Sequence, residues 1–348
     1  MQPLAGNHEL KNRTSKALFW SFLESIGFRG VQFIIGIILA RLLFPEHFGL
    51  IGMLAVFLGV AQLFVNSGFG AALIQKREST TTDSSTIFYF NIIVGFFTVV
   101  LLWLIAPWIA SFYNQPILTL LTRALSLTIV INSFSLIQTT ILTKQINFKT
   151  QTKISVSASL LSGIIGIWLA ILDYGVWSLV IQQICGSLFR TSFLWVFNDW
   201  RPALIFSIQS LREMFGYGSR LMFSWLLNVI FQNIYLVLIG RIFSAADLGF
   251  FTRAKTIEEI PSSTLSEMIG RVTFPVFSTI QDNPERLKNG LKKTLRVTAL
   301  VNFPMMIGLA LIAHPLVFVL LTEKWAECIP YLHYFAFRGC CFRRMYSI

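Results

Sequence analysis

Residues 84–122 read SSTIFYFNIIVGFFTVVLLWLIAPWIASFYNQPILTLLT, and no charged side chain interrupts them. A bilayer crossing takes about 20 apolar residues of helix, so this stretch holds enough for nearly two. Asn114-Gln115-Pro116 divides it, because an amide pair followed by proline favours a turn. Similar uncharged stretches recur at 48–75, 124–143, 154–172, 221–240 and 297–322. None alternates apolar and polar residues as the strand of a membrane barrel does. The pattern predicts helices near 17–40, 48–68, 86–111, 117–142, 154–172, 175–197, 217–240, 250–279 and 297–321, with another beginning near 328. The fold class expected is all-α and polytopic.

Composition agrees. Of 348 residues, 55% are hydrophobic and only 13% charged, where a soluble domain carries roughly 25% charged residues. Phe occurs 33 times, which suits lipid-facing helices. The 28 Lys and Arg against 16 Asp and Glu would suggest nucleic acid in a soluble protein. Here the cations lie between apolar runs, so they read as topology determinants and no nucleic-acid partner is expected. Cys185, Cys328, Cys340 and Cys341 lack the spacing of a zinc site, and no metal or cofactor motif occurs. Residues 1–10 are polar, so no cleavable signal is expected and 1–16 reads as a cytosolic segment.

Charge also orients the chain. Placing the N-terminus in the cytoplasm puts Lys11, Arg13, Lys16, Lys76, Arg77, Lys144, Lys149, Lys153, Arg201, Arg212 and Arg220 inside, followed by Arg271 and the cations of 286–296. The outer connections then hold only Arg41, Arg241 and Lys324. That is the positive-inside bias at every alternate loop.

Residues 17–54 align without a gap on 217–254: Gln32 falls on Gln232, Arg41 on Arg241 and Gly49 on Gly249. Leu104-Ile105-Ala106-Pro107 is echoed by Leu311-Ile312-Ala313-His314-Pro315. Six helices separate the copies, an even number, so the repeat is parallel, an arrangement found in transporters with the path between halves. The expectation is a first six-helix lobe at 17–206 and, at 207–337, about three helices and the start of a fourth from a second, incomplete lobe. Residues 338–348 place three Arg and two Cys where a helix interior is due. A central Arg in lipid costs about 2.5–3.5 kcal/mol, so a truncated or frame-shifted product from about Arg338 is expected, with a short cytosolic tail as the alternative.

FWSFLESIGFRGVQFIIGIILARLLFPEHFGLIGM (19–53), NSGFGAALIQKREST (66–80), YGVWSLVIQQ (174–183), GRIFSAADLGFFTRA (240–254) and VTFPVFSTIQDN (272–283) together resemble bacterial polysaccharide exporters of the MOP flippase superfamily. The likeness is to Wzx-type exporters of lipopolysaccharide, O-antigen and colanic-acid-type glycans, over about Leu18 to Phe337. It implies two six-helix lobes around a central cavity in the bacterial cytoplasmic (inner) membrane. It also implies a substrate, an oligosaccharide linked to polyprenyl pyrophosphate of the undecaprenyl type, moved from the cytoplasmic to the outer leaflet. A proton or Na+ would be the coupling ion. Residues 338–348 depart from the family pattern.

Such a substrate needs polar surface within the bilayer and cations for its pyrophosphate, with Arg favoured for bidentate phosphate contacts. Ser21, Ser25, Gln32 and Gly36 share one helix face with Glu24 beside it, and Ser224, Asn228 and Gln232 mark the matching face of the repeat. These amides line the cavity or, alternatively, tie helices together. Glu24 is an intramembrane acid suited to proton coupling, or else the ion partner of Arg29. Arg123 and Arg190 lie one or two turns from a membrane face, where pyrophosphate contact competes with snorkelling. The span at 250–279 carries Arg253, Lys255, Glu258, Glu259 and Glu267, too polar for lipid and thus turned to protein or a wet path. The leading function is a lipid-linked oligosaccharide flippase rather than an enzyme. The alternatives are a cation-coupled small-molecule or multidrug antiporter on the same scaffold and, from another class, a membrane glycosyltransferase or polymerase.

Overall fold

The structure, a computed structural model, describes residues 27–66, 68–76, 79–279 and 284–341. Helix α1 occupies 27–42 and a two-residue turn leads into α2 (Pro45–Asn66). Pro45 opens α2 where its missing N–H would be unpaired anyway. The second copy of the repeat has the same geometry: α8 (Ile208–Ile242), two residues, then α9 (Ala245–Thr279). Between them lie α3 (Phe69–Gln75), α4 (Thr81–Tyr113), α5 (Ile117–Lys144), α6 (Phe148–Ile171) and α7 (Val176–Phe197). After α9 come α10 (Pro284–Leu311), α11 (Ala313–Leu321), a 3-10 turn (Glu323–Trp325) and α12 (Cys328–Cys341). No strand occurs among the described residues.

Local chemistry sets these boundaries. A reciprocal Thr80–Asp83 capping box starts α4, and Asn114 ends it in the left-handed region at φ 55. Asn147 and Ser207 cap α6 and α8 by accepting from Thr150 N and Ser210 N. Seven helices are long and apolar enough to cross a membrane among the described residues, including Pro45–Gln75, in which α2 and α3 run on through a break. In α1 the described part is short, and α9 is too polar to count by composition.

Three expected boundaries change. The span at 297–321 is two helices, because Pro315 lacks an N–H and its ring clashes with the carbonyl of Leu311, where α10 stops. The helix expected at 217–240 begins at Ile208, so an amphipathic stretch precedes its membrane part, which starts at Gly218. The span ending near 68 breaks at Gly68, whose φ of +68 suits only glycine without strain. A Cβ there would sit 2.9 Å from Gly218 Cα and closer still to that residue's carbonyl, so α8 docks on this break backbone to backbone.

The described residues form two compact units, one of 27–43 with 50–245, the other of 44–49 with 246–341. In the first, α4 packs along α5, α5 along α7, and α7 along α6. Phe97, Leu104 and Trp108 stand exposed along α4, as a lipid-facing surface requires. Near the start of α4, the edge of Phe88 meets Phe134, Trp195 and Trp200 at 5.8–6.1 Å between ring centroids. Met214 of α8 is buried in the same cluster, which contributes about 1.5–3 kcal/mol by burial. In the second unit, α12 runs along α10, and Trp325 is fully buried with Phe48 and Phe250 edge-on to it.

Candidate functional site

The first unit holds a chain of neutral amides inside its apolar helices. Asn132 Nδ2 of α5 donates to Gln62 Oε1 of α2 at 3.1 Å, and Gln62 Nε2 donates to Asn66 Oδ1 at 3.3 Å. All three side chains are half-buried. They fall in uncharged stretches, so a reading that looks for charges in spans passes over them. The available signal was three amides in runs otherwise free of charge and mostly apolar. Deeper in the same unit, Asn91 of α4 is fully buried with no hydrogen-bond partner on either amide atom.

Gln32 of α1 donates from Nε2 to Ser159 Oγ of α6 at 2.9 Å, so it joins two helices while its side chain stays exposed. Asn228 and Gln232 are one turn apart on α8, both exposed, and Gln232 Nε2 donates to Asn228 Oδ1 at 2.9 Å. Arg123 on α5 and Arg190 on α7 are exposed. The indole of Trp103 donates to the Arg123 carbonyl at 3.2 Å. Glu24 lies outside the described residues.

A second polar cluster ties the loop after α3 to α8. Lys76 Nζ lies 2.9 Å from the buried Asp83 carboxylate and 3.3 Å from Glu213. Its hydrogen bond to Asp83 holds the ammonium above its ordinary pKa. Lys144 Nζ donates to the carbonyls of Leu73 and Lys76 and to Ser79 Oγ. The linker into α8 is stitched down as well: Ala203 N donates to Ser85 Oγ and Ser207 N to Thr86 Oγ1, each at 3.0 Å. By sequence Lys76 and Lys144 are cations at span ends, and their partners could only be found once α3, α4, α5 and α8 were placed.

The second unit holds the α9 group. Arg253 is 8% exposed, its guanidinium 4.6 Å from the Phe48 ring centroid and 5.8 Å from that of Trp325. Lys255 pairs with Glu259 at 3.6 Å. Glu258 is buried beside Gly339, where an added Cβ would lie 3.2 Å from Oε1. Glu267 falls on the part of α9 whose side chains lie outside the described residues. The polarity of α9 is thus turned at least partly into protein. No cluster of three metal-ligating side chains occurs among the described residues.

Comparison with known proteins places this arrangement. Residues 38–330 match the family model described as polysaccharide biosynthesis protein. Teichuronic acid biosynthesis protein TuaB of Bacillus subtilis (strain 168) is 32% identical over 284 residues, covering 80% of this chain and 58% of TuaB. Succinoglycan biosynthesis transport protein ExoT of Rhizobium meliloti (strain 1021) is 27% identical over 313 residues, 90% of this chain and 63% of that protein. Lipopolysaccharide biosynthesis protein WzxC of Escherichia coli (strain K12) is 27% identical over 329 residues, 93% and 66%. The chain therefore spans less than two thirds of the length of each. Among solved structures, lipid II flippase MurJ in its inward closed conformation superposes with a TM-score of 0.69 at 16% identity, covering 96% of this chain and 75% of MurJ. An inward-facing multidrug resistance MATE family transporter of the MOP superfamily gives 0.61 at 14%, covering 93% and 84%. The chain is a multi-pass bacterial membrane protein with the MurJ and MATE fold, and it belongs to the polysaccharide biosynthesis protein family.

Proposed function

We propose that this chain carries the substrate path of a flippase. The substrate is a polyprenyl-pyrophosphate-linked oligosaccharide, moved from the cytoplasmic to the outer leaflet for lipopolysaccharide or exopolysaccharide biosynthesis. The observation that carries the proposal is the set of partly or fully exposed amides on membrane helices, Gln62, Asn66, Asn132, Asn228 and Gln232, in a chain of a polysaccharide biosynthesis family. A glycan needs neutral donors and acceptors at the depth of the bilayer, where lipid supplies none. Its pyrophosphate needs cations, for which Arg123, Arg190 and Lys255 are the proposed partners, with Glu258 and Glu267 on the same path. Glu24 is proposed for coupling to H+ or Na+.

The proposal includes an N-terminus in the cytoplasm, the cytoplasmic membrane as location, and alternating access of two lobes. The first lobe is 17–206, and 207–337 is the part of the second that this chain carries. A cation-coupled drug antiporter is the second reading, favoured by the MATE fold likeness. Vesicles reconstituted with the protein separate the two. Flipping of undecaprenyl-pyrophosphate oligosaccharide, slowed roughly tenfold by Arg123→Gln or Arg190→Gln as the loss of a charged hydrogen bond predicts, supports the flippase. Cation-driven dye export with no lipid flipping would overturn it.

A further inference from the structure

The amide chain of α2 and α5 has a direction. Each carboxamide offers two donor hydrogens and two acceptor lone pairs. Asn132 gives a hydrogen to Gln62, and Gln62 gives one to Asn66. That leaves the Asn132 carbonyl oxygen as an acceptor at one end and the Asn66 NH2 as a donor at the other. This chain keeps both ends open, and its members are half-buried rather than sealed.

The chain also faces inward. On α2, Gly59 stands next to α8, where an added Cβ would lie 3.5 Å from Val229 Cγ1. Gln62 and Asn66 follow Gly59 by three and seven residues, within about 60° on the same face. Phe64, two residues on from Gln62 and about 200° around the helix, is 42% exposed and suits lipid. The open amide edge therefore turns towards α8, whose own Asn228–Gln232 pair flanks Val229. Gln62 lies ~25 Å along α2 from Pro45, and Asn132 ~22 Å along α5 from Ile117. Both helices start at the same membrane face, so the amides share one level, in the half of the bilayer nearer α3.

We infer that Gln62, Asn66 and Asn132 form a saccharide site that holds the hydroxyl or acetamido groups of the transported glycan as it enters from the cytoplasmic leaflet. Among the described residues no cation or carboxylate bonds to these three amides, so they recognise sugar and leave pyrophosphate to the cations elsewhere. A sugar hydroxyl both gives and accepts a hydrogen bond, which the two open ends match. The inference deepens the flippase reading and rests on it.

The test compares two lipids on purified protein, undecaprenyl pyrophosphate bare and carrying an N-acetylhexosamine disaccharide. Binding is read by native mass spectrometry and flipping in vesicles. Asn66→Ala leaves the Asn132–Gln62 bridge between helices intact, so folding is not at risk; Asn132→Leu breaks the bridge and is read with its melting temperature. Each variant should bind the glycan-bearing lipid about threefold to tenfold more weakly, the worth of a neutral hydrogen bond, with the bare lipid unchanged. Equal loss for both lipids, or none for Asn66→Ala, overturns the saccharide site. Glycan-dependent binding by a wild-type protein that flips neither lipid would support the site and overturn the flippase reading instead.

Discussion

Replacing Arg253 separates a structural clasp from a substrate contact. The guanidinium lies over Phe48 at 4.6 Å, well inside the cation–π range, and over Trp325 at 5.8 Å, near its limit. A desolvated contact of the first kind is worth about 2 kcal/mol and a distant one about 0.5–1 kcal/mol. Arg253→Gln removes both and thins the packing around a fully buried Trp325. It should destabilise the second unit by about 2–3 kcal/mol, less whatever charge desolvation is relieved. Arg253→Lys keeps the charge without the flat ring-stacking plane, so it should recover about half. Melting in detergent, followed by Trp fluorescence, measures the change. A double-mutant cycle with Phe48→Leu should show coupling above about 0.5 kcal/mol. Unchanged melting of Arg253→Gln with abolished transport would refute the clasp and return Arg253 to the pyrophosphate.

Gly68→Ala should lower stability by at least about 1–2 kcal/mol, from the left-handed backbone alone, and the clash with Gly218 adds to it; wild-type melting would mean α8 does not dock there. Glu213→Gln should cost less than about 1 kcal/mol because the pair is exposed, whereas Lys76→Ala should cost about 2 kcal/mol because the buried Asp83 loses its cation and keeps the Thr80 capping bond; equal melting of the two would refute the ranking. The Lys76 pKa is raised in the fold, so its contribution is complete below the ordinary lysine value and lost only as pH climbs past it. Melting temperature should therefore show no Lys76-dependent change between about pH 6 and 9. Gln115→Cys, in a background without native cysteines, should react with an impermeant maleimide from outside the cell. Asn114 is avoided because its φ of 55 disfavours cysteine, and labelling only from the cytoplasmic side would reverse the topology.

Sequence made the spans legible because a membrane helix must be apolar along its length, whatever packs against it. It also showed the repeat, whose turns at Leu43–Phe44 and Phe243–Ser244 interrupt the helices at equivalent positions. The break at Ile312 was written in Pro315, but a hydropathy reading sees only the uninterrupted apolar run. Partners were a different matter. Arg253 reads from its own segment as a path residue, and nothing in that segment tells that Phe48 and Trp325, far away in the chain, sit against it. Gln62 and Asn132 look like stray amides until α2 and α5 are neighbours. Charge along one segment is a local property, and what neutralises or uses it depends on contacts that only the fold supplies.

The packing at the start of α2 sets a schedule for synthesis. Residues 44–49 are made early, yet the groups that cover them, Gly249, Arg253 and Trp325, follow only with the second unit. Those partners leave the ribosome roughly 200–280 residues later, about 10–60 s at ~5–20 residues per second. Through that interval Phe48 lacks its final neighbours, while Ala61 and Val65 of the same helix can already pack against α4 and α5. The start of α2 is thus a late-closing segment, with its completion timed by the arrival of the 3-10 turn that carries Trp325.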